Sequence, residues 1–199
     1  MNIKKMISDA LKIYDSDKTG KVDYALESLG ATIVSTRCTE SHTKKSRLES
    51  IFGIPLWYVS YSPRVVIQHR GNALSAGECW AFRNVGYLLI KLASAINVTE
   101  FSYEHLQASL HPNNNIESAP KEFEVWAYED PDDVDSKFLL GEYQYDCVGE
   151  ALQFFPNDFK RPTQYIELVV RSNWGAEYTC LYRFRVHGQK PFNITSVVN

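Results

Sequence analysis

After about Asp23 the chain becomes a series of short β-type runs, each closed by Gly, Pro, Asn or Asp, and no long helical pattern alternates with them. The runs fall at 31–35, 64–68, 86–92, 99–105, 122–128, 139–145, 151–155, 164–171 and 178–187. Several alternate: Phe123, Val125 and Ala127 oppose Glu122 and Glu124, and Arg183 and Arg185 alternate with Tyr182 and Phe184 between Leu181 and Val186. A period of two marks a strand with one face in a core and the other in water. Many such strands with turn punctuation predict an all-β sandwich or jelly roll, not a parallel α/β sheet. No internal repeat interrupts the series.

Ahead of the strands, Ile3, Ile7, Ala10 and Tyr14 fall at helical spacing, with Met6 and Ile13 beside them and lysines on much of the remainder. An isolated helix of ~12–15 residues is marginal in water, so this one is expected to pack on the domain or on copies of itself, as the end of a coiled coil would. The 199 residues, 44% of them hydrophobic, suffice for one large core and little more. Net charge is −3 and the basic residues are scattered, which argues against a nucleic-acid partner. No apolar run approaches the ~20 residues that cross a bilayer.

Four cysteines, Cys38, Cys79, Cys147 and Cys180, lie too far apart for the close pairs of a zinc ribbon. They read either as buried thiols or as one or two disulfides. Two sequons, at Asn97 and Asn193, lean towards a secretory compartment.

Asp15 to Asp23 imitates a calcium loop, with Gly20 at the sharp turn, but the twelfth position is Leu26 where a bidentate glutamate belongs, and Glu27 comes one place late. A helix stop and linker use the same residues. Cys38 with His42 could suggest a thiolate nucleophile, yet no third group or oxyanion motif accompanies it, and His105, His111 and His187 read as structural or surface groups. The cluster 129–133 has the Pro and Asp content of a solvated turn. None of these residues is assigned a catalytic step. Trp80 and Trp126 lie in strand contexts and read as core; Trp57 and Trp174 sit beside Pro or Gly and keep a carbohydrate-binding sandwich as the second reading.

Residues 42–59 run from Lys44, Lys45 and Arg47 into Leu48, Ile51, Phe52, Ile54, Leu56 and Trp57 around Gly53 and Pro55. A polar start, then dense apolar residues broken by Gly and Pro, suits a hairpin or flap over a core or a partner.

Collinear blocks then carry a family resemblance. Residues 23–31, Ser35-Thr36-Arg37-Cys38, Phe52-Gly53-Ile54-Pro55-Leu56-Trp57-Tyr58, Ser62-Pro63-Arg64-Val65, Cys79-Trp80-Ala81-Phe82, Ser118-Ala119-Pro120-Lys121, Asn173-Trp174-Gly175 and 177–188 resemble a SUN domain. The resemblance implies a jelly-roll-like β-sandwich over 23–190, a coiled-coil-derived helix and linker over 1–22, and a tail over 191–199. It implies a homotrimer in the perinuclear space, belonging to a protein anchored in the inner nuclear membrane outside this segment. The partner would be the C-terminal peptide of a KASH protein, bridging nucleoskeleton and cytoskeleton.

By the same resemblance, Leu48, Ile51, Phe52, Ile54, Leu56 and Trp57 belong to a hairpin lid that covers the peptide, with affinity from main-chain hydrogen bonds. His105, Ser118, Tyr178 and Tyr182 would receive the peptide's terminal carboxylate, since a buried anion needs hydrogen-bond donors. Cys79 and Cys180 would pair within the domain, and Cys38 would be available to a partner's cysteine. A K⁺ ion would sit at Val65, Gln68 and Tyr182, beside a 68–78 segment that is longer than the family's and carries Arg70 and Glu78.

Overall fold

The computed structural model describes residues 3–37, 39–41, 50–51, 54–55, 61–71, 73–111, 114 and 116–191. Among the described residues one α-helix, α1 (Ile3–Asp15), precedes eleven strands: β1 (Thr32–Ser35), β2 (Ser50–Ile51), β3 (Ile54–Pro55), β4 (Trp80–Phe82), β5 (Gly86–Glu104), β6 (Glu122–Tyr128), β7 (Lys137–Gln144), β8 (Leu152–Pro156), β9 (Thr163–Val170), β10 (Thr179–Leu181) and β11 (Arg183–Gln189).

The 19-residue β5 organises the sandwich. Its first half pairs antiparallel with β1 and β9, and β9 continues the sheet through β6 to β7. Between Lys91 and Ile96 the register against β9 breaks. Beyond this bulge the same strand pairs with β11 on one side and β8 on the other. A bulge that bends a strand lets it pass from one layer to the next.

The core lies between the layers. Leu88 and Ile90 of β5, Ile166 and Leu168 of β9, and Phe123 and Val125 of β6 meet Phe101, Phe155, Phe184 and Val186 from the other side, all buried. Phe101 stacks on Phe184 at 5.7 Å, and Phe123 meets Phe155 edge-on at 5.0 Å. These ten side chains reproduce the alternation of the sequence.

Three expectations need correction. Residues 64–68 are not a strand: Pro63–Ile67 is a 3-10 helix with Pro63 in its first turn, where a fixed φ and a missing N–H cost nothing. Arg183 and Arg185 are not on a wet face; both are buried, at 3% and 2% exposure. Trp126 is half-buried, not core, with its indole N–H donating to Glu124. Trp80, by contrast, is fully buried at 1%.

The calcium-like loop is a latch. Asp17 and Lys18 both adopt positive φ, 53° and 61°, which L-residues with side chains avoid. Charge holds them there: Asp17 accepts from Arg185 at 2.8 and 2.9 Å, and Lys18 pairs with Glu104. Arg185 also donates to Glu104 at 2.7 Å, and Arg183 pairs with the buried Asp23. The arginine alternation thus anchors the linker to β11.

Candidate functional site

The four residues expected to bind a carboxylate converge at one end of the sandwich. The end of β5 and the residue after it supply Tyr103 and His105, the connection ahead of β6 supplies Ser118, and β10 with its flanks supplies Tyr178 and Tyr182. The disulfide between Cys79 and Cys180 binds the β4 side to β10, with the two Cα atoms 5.5 Å apart. Around it Cys79, Leu106, Cys180 and Tyr182 form a small buried cluster against which Leu74 and Tyr178 pack. A second tie is the Cys180 N–H, which donates to the Ser118 carbonyl at 2.8 Å.

His105 is 2% exposed and lies edge-on to the Tyr182 ring, with centroids 4.9 Å apart. Burial, with His111 nearby, pushes its pKa down to about 3, so the imidazole is neutral at physiological pH. A neutral imidazole carries one N–H, and its neighbour decides which. The Tyr103 hydroxyl lies 2.9 Å from His105 Nδ1, 3.5 Å from the Cys180 carbonyl, and accepts from the Tyr182 N–H at 3.3 Å. When Tyr103 donates to Nδ1, the nearer of its two acceptors, the proton of the neutral ring sits on Nε2. Burial pushes the Tyr103 and Tyr182 hydroxyls upward, so both keep their protons.

Tyr103 was not singled out in the sequence. The sequence carries a signal for it: a tyrosine two residues before a histidine within the extended run 99–105 puts both side chains on the same face.

Of the segment expected to form a lid, the described part is a two-stranded ladder in which Ser50 pairs with Pro55 and Ile51 with Ile54. Leu48, Phe52, Leu56 and Trp57 lie outside the described residues, as do Cys38 and His42. Trp174 is half-buried, donates its indole N–H to the Tyr145 carbonyl at 3.2 Å, and has the Lys121 ammonium 4.9 Å over its ring. That leaves it poorly placed to stack on a sugar. Cys147 is a free, half-buried thiol whose pKa burial pushes up, away from nucleophile chemistry. No cluster of three or more His, Cys, Asp or Glu suited to a metal occurs among the described residues.

Two of the side chains at the expected K⁺ positions are engaged within the protein. The Tyr182 hydroxyl accepts from the Gly77 N–H at 3.1 Å, and the Gln68 amide donates to Glu27 at 2.6 Å. Val65 and Gln68 line a cavity of about 20 Å³ that also receives Lys18, Arg70, Arg183 and Arg185. Arg183 Nε and Arg185 Nη1 are buried without an acceptor among the described residues.

The chain matches the family model described as Sad1 / UNC-like C-terminal over residues 56–190. It is 48% identical over 191 residues to the nuclear migration and anchoring protein unc-84 of Caenorhabditis elegans, covering 94% of this chain and 17% of that protein. Identity is 48% to the Klaroid protein of Drosophila melanogaster, covering 95% and 20%, and 50% to human SUN domain-containing protein 1, covering 94% and 24%. The chain thus spans about a fifth of the length of these relatives. Among solved structures, the family 32 carbohydrate-binding module of Streptococcus pneumoniae EndoD aligns with a TM-score of 0.59 at 16% identity, over 84% of this chain and 100% of that one. Allantoicase of Saccharomyces cerevisiae aligns at 0.55 and 12%, over 85% and 43%. At such identities the likeness concerns the sandwich fold alone.

Proposed function

The chain belongs to the Sad1 / UNC-like C-terminal family, the SUN domains, and from that premise we propose that it grips the C-terminal peptide of a KASH protein in the perinuclear space. Relatives named for nuclear migration and anchoring support a tethering role over an enzymatic one. The observation that carries the reading is the buried, neutral His105 beside Tyr182. His105 Nε2–H and the hydroxyls of Ser118, Tyr178 and Tyr182 form a set of donors suited to one carboxylate, and charge-assisted hydrogen bonds in a dry site are strong. Neutral donors also spare the site the cost of burying a second, unpaired charge.

In this reading the β2–β3 hairpin is the lid, and an extended peptide adds to it as a strand. The exposed apolar residues Ile3, Ile7 and Tyr14 of α1 support assembly with copies of itself, the homotrimer expected of the family. Cys38 would offer a covalent link where the partner has a cysteine. The membrane anchor would belong to the longer protein.

The test is calorimetric binding of a KASH C-terminal peptide to the chain, to His105→Ala, and of a peptide lacking its last residue. Each change removes hydrogen bonds to a charged group, so affinity should fall ~10–100-fold. Full affinity in both altered cases would contradict the carboxylate pocket.

A further inference from the structure

The described residues 70–71 and 73–78 run from Arg70 to Glu78, next to the disulfide-bonded Cys79, and form a loop. It turns at Gly71 and Gly77, whose φ values of 121° and 83° only glycine adopts freely. The turns bring Glu78 back onto Arg70. Arg70 Nη2 donates to the Glu78 carbonyl at 2.6 Å, Nη1 lies 3.4 Å from Glu78 Oε2, and the guanidinium carbon stands 5.1 Å from the centre of the Tyr61 ring. One cation therefore closes the loop through a main-chain oxygen, a carboxylate and an aromatic face.

A metal bound by loop carbonyls would act in the same way, drawing oxygens towards a positive centre. The charges below the loop leave no room for a second such centre. Lys18, Arg70, Arg183 and Arg185 face Asp17, Glu78 and Glu104. Those three carboxylates are already paired, Asp17 with Arg185, Glu104 with Lys18 and Arg185, and Glu78 with Arg70. Arg183, paired with the buried Asp23, and Arg185 also line this cavity, so every carboxylate there already has a cation and none is left for a further one.

We propose that the Arg70 guanidinium is the built-in cation of this loop, so that the loop and the pocket it borders through Gly77 and Tyr182 hold their form without a bound monovalent metal. The peptide arm of the test rests on the peptide-binding reading; the stability arm does not. Melting temperatures are compared in potassium chloride and in choline chloride at equal ionic strength, for the chain and for Arg70→Ala and Arg70→Lys, followed by peptide titrations in both salts.

The unaltered chain should melt within ~1 °C in the two salts and bind peptide equally in both. Arg70→Ala should melt ~2 °C lower and bind ~5-fold more weakly, with Arg70→Lys between, because lysine keeps the charge and loses the fork. A rise in the unaltered chain's melting temperature with potassium but not choline would overturn the proposal, as would an Arg70→Ala protein identical to the unaltered one. Loss of peptide binding in every variant and salt would count against the peptide reading, and the melting comparison would then decide the role of Arg70 alone.

Discussion

Near the end of β5, Tyr103 offers its hydroxyl to three groups of the pocket: the His105 ring, the Tyr182 N–H and the Cys180 carbonyl. At 1% exposure it lies behind His105 in the core, so its part is to position His105 and fix its tautomer. In Tyr103→Phe the Nδ1 atom loses its donor and both neutral tautomers compete. A buried acceptor left unpaired costs about 1–3 kcal/mol in stability, and peptide affinity should fall by a similar factor, ~10-fold. Long-range 15N spectra check this directly: His105 protonated at Nε2 in the unaltered chain, mixed in the variant. An unchanged spectrum would remove Tyr103 from this role. At this scale the sequence was only partly legible. No spacing rule links residue 105 to residues 118, 178 and 182, and the pocket was reached through family resemblance, whereas the alternation of Phe123, Val125 and Ala127 spoke for itself.

The elements show where pattern reading runs out. β5 was read as two runs, 86–92 and 99–105, because Ala93, Ser94 and Ala95 dilute its apolar rhythm; the structure makes it one strand that changes layers there. β4 is three residues long, too short for any periodicity to register. The linker resembled an ion site because its acids do bind cations, but those cations are Arg183 and Arg185. That exchange sets how stability follows pH. Burial pushes Asp17 up, yet Arg185, with Arg183 and His69, brings it down to about 2, so its contribution is complete above its ordinary 3.8 and is lost as pH falls towards 2. His105 works from the other side. Its folded pKa of about 3 lies below its ordinary 6.5, so the unfolded chain takes up a proton first and stability falls as pH drops below 6.5. The slope is about 1.4 kcal/mol per pH unit for one such group, and His187, lowered by burial, adds in the same direction. Urea midpoints should therefore decline between about pH 6.5 and pH 4, before carboxylates titrate, and His105→Asn should flatten the decline. Equal midpoints across that range would contradict the assignment.

For the whole molecule, the division into a helix, a latch and a sandwich follows from what each part can bury. Strands with one apolar face must close on a second layer, and β5 supplies both layers at once. Ile3, Met6, Ile7 and Leu11 on α1 remain at 50–70% exposure, so the helix was legible as amphipathic while its partner was not. The sandwich alone does not identify the function, since carbohydrate-binding modules share it at low identity. The proposed function is placed instead at the end of the sandwich where His105, Tyr178 and Tyr182 lie near the Cys79–Cys180 disulfide and the Ser118 carbonyl accepts from the Cys180 N–H. The central claim is that this end reads a free carboxylate. Calorimetric titration of one KASH C-terminal peptide in two forms, free acid and C-terminal amide, tests it with a change of a single group. The account predicts binding of the acid and a loss of about 2 kcal/mol or more, ~30-fold or greater, for the amide; equal affinity for the two forms would contradict it.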